Sequence, residues 1–225
     1  MRTETVQRLR VTFAVEGAWS YASVLDLGRA WERLLRRARL PLAYSQGYNP
    51  HPRLQFAAAL PVGYTSLGEM VDLWLGERMP IQEAAEAMVR QSPPGLRVLQ
   101  VEEVPLAAPA LQALIRAAAY RVWLTTPLPP EAVRAALEHL LAQEHIPRHR
   151  RKKDHQADYD LRPLILGLEY CSTSGTTHEI AMLLRCGQAG SGRPEEIIEA
   201  AGLAVEDRII QRLRLLAGAD GEEKG

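Results

Sequence analysis

Residues Pro41–Gly63, reading PLAYSQGYNPHPRLQFAAALPVG, constrain this chain more than any other stretch. Pro41 stops any helix that precedes it, and Gly47 permits a backbone conformation closed to other residues. Pro50 and Pro52 force extended geometry on Asn49 and His51. The stretch is therefore an extended segment, Leu42–Val62, broken by a stiff bend, and the periodic patterns on either side must fold around it.

Upstream, Leu9–Val15 alternates as a strand, and a helix is predicted from about Tyr21 to Arg39. Its apolar positions Val24, Leu27, Trp31, Leu34, Leu35 and Ala38 share one face, and Ser23 with Asp26 offers a capping-box-like start. Downstream, Met70–Leu75 reads as a strand, Pro80 opens a helix to about Gln91, and Leu96–Val104 is a strand. The order recurs with strand Ala119–Thr125, helix Pro129–Gln143, strands Leu164–Tyr170 and Glu179–Arg185, helix Pro194–Ala201 and strand Asp207–Leu215. The expected fold is α+β, with two tandem ferredoxin-like (β-α-β-β-α-β) units at 1–105 and 119–218. A linker at 106–118 and a disordered tail at 219–225 complete the expected organisation.

A hydrophobic content of 47% with 24% charged residues excludes wholesale disorder. Lys and Arg balance Asp and Glu at 27 each, so no global basic field announces a nucleic-acid partner. Of the 27 basic residues 24 are Arg, the better residue for bidentate phosphate contacts, although a GC-rich genome produces the same skew. No apolar run has signal-peptide or membrane-span length, which predicts a cytoplasmic protein with no membrane partner. Two cysteines, Cys171 and Cys186, suit a reducing compartment.

Tyr44, Gln46, Tyr48, Asn49, His51 and Arg53 bring to one stiff loop the groups that read single-stranded RNA: aromatic faces, amides and a cation. Arg29, Arg33 and Arg36 recur at helical spacing opposite the Leu/Trp stripe, with Arg37 and Arg39 alongside, and their helix runs into that loop. His145–Lys153 holds the densest positive cluster, Arg148, Arg150, Arg151, Lys152 and Lys153, in a predicted loop or hairpin. With no acid among them these cations are not expected to be neutralised locally, despite Asp154, Asp158 and Asp160 downstream. Arg162 and Arg193 are further candidates for RNA contact. The glycine-rich run before Pro194 lacks a P-loop ending, and Glu195 and Glu196 occupy the start of the helix that follows.

No catalytic set is expected, since no nucleophile–base pair or paired carboxylates stand at recognisable spacing; of the neutral-pH acids or bases His51, His145, His149 and His155, only His51 is a weak candidate. The turn STSGTT sets Cys171 opposite His178 but leaves Cys186 about 25 Å along the strand. No metal site follows, and both cysteines read as buried bystanders.

The motif YSQGYNPHPRLQFAAALPVG resembles the signature of a radical SAM-linked family of unknown function, whose members are the C-terminal part of a radical SAM protein or a separate chain. The resemblance extends through Ser23–Asp26, LLRRARLPLAYSQG, Gly63–Glu69, Asp160–Pro163 and Gly192–Glu195. Members often carry His where this chain has Val24, so no role for that His operates here. The resemblance implies a radical SAM partner and a place in bacterial RNA or ribosome metabolism. With two cysteines this chain lacks the three thiolates of a radical SAM cluster. The iron–sulfur cluster and S-adenosylmethionine are thus expected only in the partner, and no cofactor in this chain. The expected function is an RNA-binding or substrate-presenting accessory module. The alternatives are a metal-independent ribonuclease or RNA-modifying enzyme, and a protein–protein adaptor using Trp19, Trp31 and the Leu42–Gly63 surface.

Overall fold

The computed structural model describes residues 5–46, 48–152, 155–187 and 190–218. The chain is α+β and divides into two compact units, Met1–Ile115 and Arg116–Gly225. The predicted tail at 219–225 lies outside the described residues.

The first unit runs β1 (Gln7–Val15), α1 (Val24–Arg37), β2 (Leu54–Phe56), β3 (Thr65–Leu75), α2 (Ile81–Gln91), β4 (Leu96–Val104) and a short α3 (Leu111–Leu114). Its strands lie in the order β4-β1-β3-β2, with β1 antiparallel to β3 and β4, and β2 antiparallel to β3. The period-two alternation of β1 sends Leu9, Val11, Phe13 and Val15 to one face, where they meet Leu27, Trp31, Leu34 and Leu35 of α1 and Met88 of α2. All except Leu27 are fully buried, each contributing about 1.5–3 kcal/mol of transfer free energy. The Trp31 ring meets Phe13 edge to face at 4.8 Å.

The helix α1 starts later than its periodicity suggests, because Gly17–Tyr21 winds into a separate 3-10 turn. Ser23 is the N-cap: its Oγ accepts from Asp26 N–H at 3.2 Å and donates to the Asp26 carboxylate at 2.7 Å. Val24, assigned by spacing to the apolar face, sits at the open first turn and is 42% exposed. At the other end Arg39 takes φ 56°. Arg39 N–H bonds Arg36 O and Leu40 N–H bonds Leu35 O, a Schellman closure that Pro41 then seals.

The second face of β1 is also covered, by the segment expected to be a linker. The Arg8 guanidinium donates to the carbonyls of Ala108 at 2.6 Å and Pro109 at 2.9 Å, and Gln55 Oε1 accepts from Leu111 N–H at 3.2 Å. An Ala/Pro run has few N–H donors and no ladder for its carbonyls, so a buried guanidinium satisfies them. Residues 106–114 are thus pinned to the first unit, and a strand already begins at Ile115, ahead of the predicted Ala119.

The second unit runs β5 (Ile115–Thr125), α4 (Pro130–Ala142), β6 (Pro147–Lys152), β7 (His155–Asp160), β8 (Ile165–Ser174), β9 (Thr177–Arg185), α5 (Pro194–Ala200) and β10 (Asp207–Ala217). Its sheet order is β10-β5-β9-β8, and β6 and β7 form a separate antiparallel hairpin. Ala118, Tyr120, Val122 and Leu124 of β5 alternate inward with His178, Ile180, Met182 and Leu184 of β9.

The register of β8 on β9 corrects the cysteine reading. Thr173, not Cys171, lies opposite His178, because Gly175 and Thr176 alone turn the chain between the paired Ser174 and Thr177. Cys171 is exposed and only Cys186 is buried. His178 is buried, with Nδ1 3.0 Å from the Tyr170 hydroxyl, so it belongs to the core.

Candidate nucleic-acid interface

The loop after α1 is a small closed structure rather than a passing connection. Ala43 N–H donates to Trp74 O, Arg53 N–H to Ala43 O, and Trp74 N–H to Arg53 O, fixing both arms to the β3 edge. Tyr44 and Pro52 face each other as an isolated bridge. Ser45 N–H then bonds His51 O at 2.8 Å, and Ser45 Oγ accepts from His51 N–H at 3.0 Å. Beyond that last tie, Gln46, Tyr48, Asn49 and Pro50 are exposed, and Tyr48 is fully so. Gly47 lies outside the described residues.

The arms and the tip divide the predicted reader residues. Tyr44 is half-buried against the core, so it covers apolar side chains instead of offering a face to a base. Arg53 donates to Thr5 Oγ1 at 2.8 Å and stacks 5.0 Å over the Trp74 ring, which Arg8 approaches at 4.9 Å. His51 projects from the tip, and its Nδ1 lies 3.9 Å from Glu32 Oε1 of α1. That contact sets the tip beside the helix's polar face. Glu32 also faces Arg36 at 3.9 Å, and Asp26 faces Arg29 at 3.4 Å.

These are exposed pairs worth little, which leave the cations open to a phosphate. Arg33 is exposed and has no hydrogen-bond or ion-pair partner among the described residues. Arg37 is tied to Gln91 O at 3.1 Å. The tip and the Arg29/Arg33/Arg36 face thus form one solvent-facing surface in the first unit: an aromatic ring, two amides, an imidazole and three guanidinium groups.

The basic segment of the second unit differs from expectation. Arg148 and Arg150 share one face of β6 by strand alternation, and that face meets α5. Glu196 and Glu199 stand one turn apart on α5 and take them up, Arg148 at 3.1 Å from Glu199 and Arg150 at 2.6 Å from Glu196. Arg150 also donates to Ser191 O and stacks 4.7 Å over Tyr159. The acids that take up Arg148 and Arg150 come from a distant helix, which the neighbours of these residues in sequence do not reveal. The side chains of Arg151 and Lys152, and the whole of Lys153, lie outside the described residues. Arg162 is structural: it donates to Leu141 O and Ile165 O, stapling α4 to β8. Arg193 is exposed as the N-cap residue of α5.

Asp160 is an anchoring carboxylate that spacing did not reveal. Its Oδ1 accepts from the N–H groups of Ile146 and Arg162, at 2.8 and 3.0 Å, and its Oδ2 meets His145 Nδ1 at 2.8 Å. The Ile146 N–H, then His145, then the Arg162 N–H hold the carboxyl down from 3.8 to about 2. A folded pKa below the unfolded one stabilises the fold above pH 3.8, and that contribution fades as pH falls through about 2. In an acid titration followed by NMR, the Ile146 and Arg162 amide signals are expected to hold their positions down to pH 3.8 and to move together near pH 2.

A family model described as "Uncharacterized protein conserved in bacteria (DUF2344)" matches residues 8–194. The chain belongs to the DUF2344 family. No curated protein matches it. Among solved structures, a chain of a Cbf5–Nop10–Gar1 complex superposes with a TM-score of 0.52 at 10% identity, over 96% of this chain and 50% of the other. A chain of an archaeal box H/ACA sRNP Nop10–Cbf5 complex gives 0.47 at 9% identity, over 96% and 49%. This DUF2344 chain therefore spans about half the length of these two neighbours, and its likeness to the first is one of fold.

Two buried polar clusters of the DUF2344 chain lie within the family match. Ser66 donates to Glu69 at 2.6 Å and accepts from Gly68 N–H, with both side chains buried. Asp72 is fully buried between Arg8 and Arg10. Among the described residues no group of three or more His, Cys, Asp or Glu is placed to hold a metal ion, and no helix is long and apolar enough to cross a membrane.

Proposed function

We propose that this chain is an RNA-binding accessory module, built of two ferredoxin-like units, that presents RNA or an RNA-borne substrate to a radical SAM protein. The observation that carries the RNA half is the 3.9 Å approach of His51 to Glu32, which joins the exposed Tyr48/Asn49 tip to the arginine face of α1. A rigid loop with a free aromatic ring supplies stacking, and arginines with only exposed partners supply phosphate contacts. The strand orders β4-β1-β3-β2 and β10-β5-β9-β8 support the scaffold, since each places a unit's last strand beside its first. The partner rests on the resemblance of YSQGYNPHPRLQFAAALPVG to radical SAM-linked chains, and the cluster and S-adenosylmethionine are assigned to that partner.

Binding to a single-stranded RNA, followed by fluorescence anisotropy across a salt series, tests the reading. Three contacted phosphates give a slope of log K against log salt of roughly −2. Failure to retain RNA even at low salt, or binding that ignores salt, rejects it.

A further inference from the structure

The β6–β7 hairpin carries an arrangement that RNA binding does not use. Strand alternation places Arg148 and Arg150 against α5 and leaves the opposite face of the hairpin to His149, Asp158 and Asp160. On it His149 pairs with its cross-strand neighbour Asp158, Nδ1 to Oδ1 at 2.6 Å, and His145 reaches diagonally to Asp160 at 2.8 Å. Both imidazoles remain open, their side chains 61% and 80% exposed for His149 and His145. A surface cleft of about 360 Å³ lies here, lined by His145, Pro147, Asp158, Tyr159 and Asp160.

A carboxylate only accepts, so each Nδ1 carries its proton toward the aspartate and each Nε2 is left free for proton transfer. Asp160 is the better held of the two carboxylates, because two backbone N–H groups fix its other oxygen. Two residues along one strand separate the aspartates by about 7 Å. Each ring hangs from its own aspartate, so both stand on the same face of the hairpin.

We propose that His145 and His149, oriented by Asp160 and Asp158, form an acid–base pair that cleaves single-stranded RNA. The proposal rests on the RNA-binding reading above. His145 Nε2 takes the proton of a ribose 2′-hydroxyl, and the 2′-oxygen bonds to the adjacent phosphorus as the bond to the 5′-oxygen breaks. His149, entering as imidazolium, gives its Nε2 proton to that leaving oxygen. The products are a 2′,3′-cyclic phosphate and a 5′-hydroxyl, with one proton taken up and one delivered, and no redox partner or water consumed.

The test incubates the full chain with a randomised single-stranded RNA pool and with total bacterial RNA, and scores bound RNA and cyclic-phosphate ends separately. Wild type is expected to generate such ends from RNA but not from 2′-deoxy oligonucleotides. His145→Ala and His149→Ala are each expected to lose about a hundredfold or more in rate with binding intact. Asp160→Asn acts as a positioning change: it is expected to lower the rate while RNA affinity, a readout any general disturbance of the fold would move, stays constant. Both histidines are exposed, so melting temperatures should match wild type and exclude a folding failure. RNA that binds but yields no cyclic-phosphate ends above those of the His145→Ala protein overturns the proposal and leaves the binding reading standing. Absence of binding overturns both.

Discussion

Asp72→Ala is expected to destabilise the first unit by about 3–5 kcal/mol, the usual cost of leaving a buried charge without its partner. Asp72 is fully buried, Arg8 is 2% exposed, and the carboxylate meets Arg8 at 2.6 Å and Arg10 at 2.9 Å. Without it two guanidinium groups remain side by side on β1, one of them sealed from water by the 105–111 segment. The loss reaches beyond a single ion pair, because Arg8 also holds that segment through the carbonyls of Ala108 and Pro109. Urea denaturation of the variant should show an early transition, and hydrogen exchange should report the release of residues around 108–111. The double change Arg8→Met with Asp72→Leu removes both charges and is expected to recover most of the stability while leaving 105–111 loose. A fully stable Asp72→Ala protein would contradict this account of the sheet's second face.

The second large effect separates binding from stability. Tyr48 is fully exposed while Tyr44 is packed on the core, although the two lie four residues apart in one motif. Tyr48→Ala should therefore leave the melting temperature unchanged and reduce RNA affinity by about 1–3 kcal/mol, the worth of one stacked base. Tyr44→Ala should do the reverse in its primary effect, lowering stability by filling less of the core. Arg33→Ala removes a cation with no partner among the described residues and is expected to reduce the salt slope by about 0.7 with little change in folding. Equal effects of Tyr44 and Tyr48 on anisotropy-measured affinity would show that the tip is not the contact.

Much of the scaffold is legible in the sequence. The 3.6-residue stripe of α1, its Ser23–Asp26 cap and its stop at Pro41 are local effects, and they stand in the structure with only the first turn displaced. The alternating strands β1, β3 and β9 were legible for the same reason. The β6–β7 hairpin was harder: PRHRRK has no apolar alternation, and its strand character depends on acids of α5 that lie far away in sequence. The same gap hid the Asp160–His145 pairing and the carbonyls that Arg8 collects at 108 and 109. Composition singled out the Tyr44–Arg53 loop, but burial divided it. Nothing local distinguishes Tyr44, at the bridge with Pro52, from Tyr48 beyond it.

Ultraviolet crosslinking in cells, with sequencing of the attached RNA and mass spectrometry of the attached peptide, tests the central claim most directly. Crosslinks are expected in the peptide holding Tyr48–His51, with α1 arginine peptides second, and they should vanish in a Tyr48→Ala strain that keeps normal protein levels. Recovery of no RNA, or of RNA crosslinked only away from the 46–51 tip and α1, would contradict it.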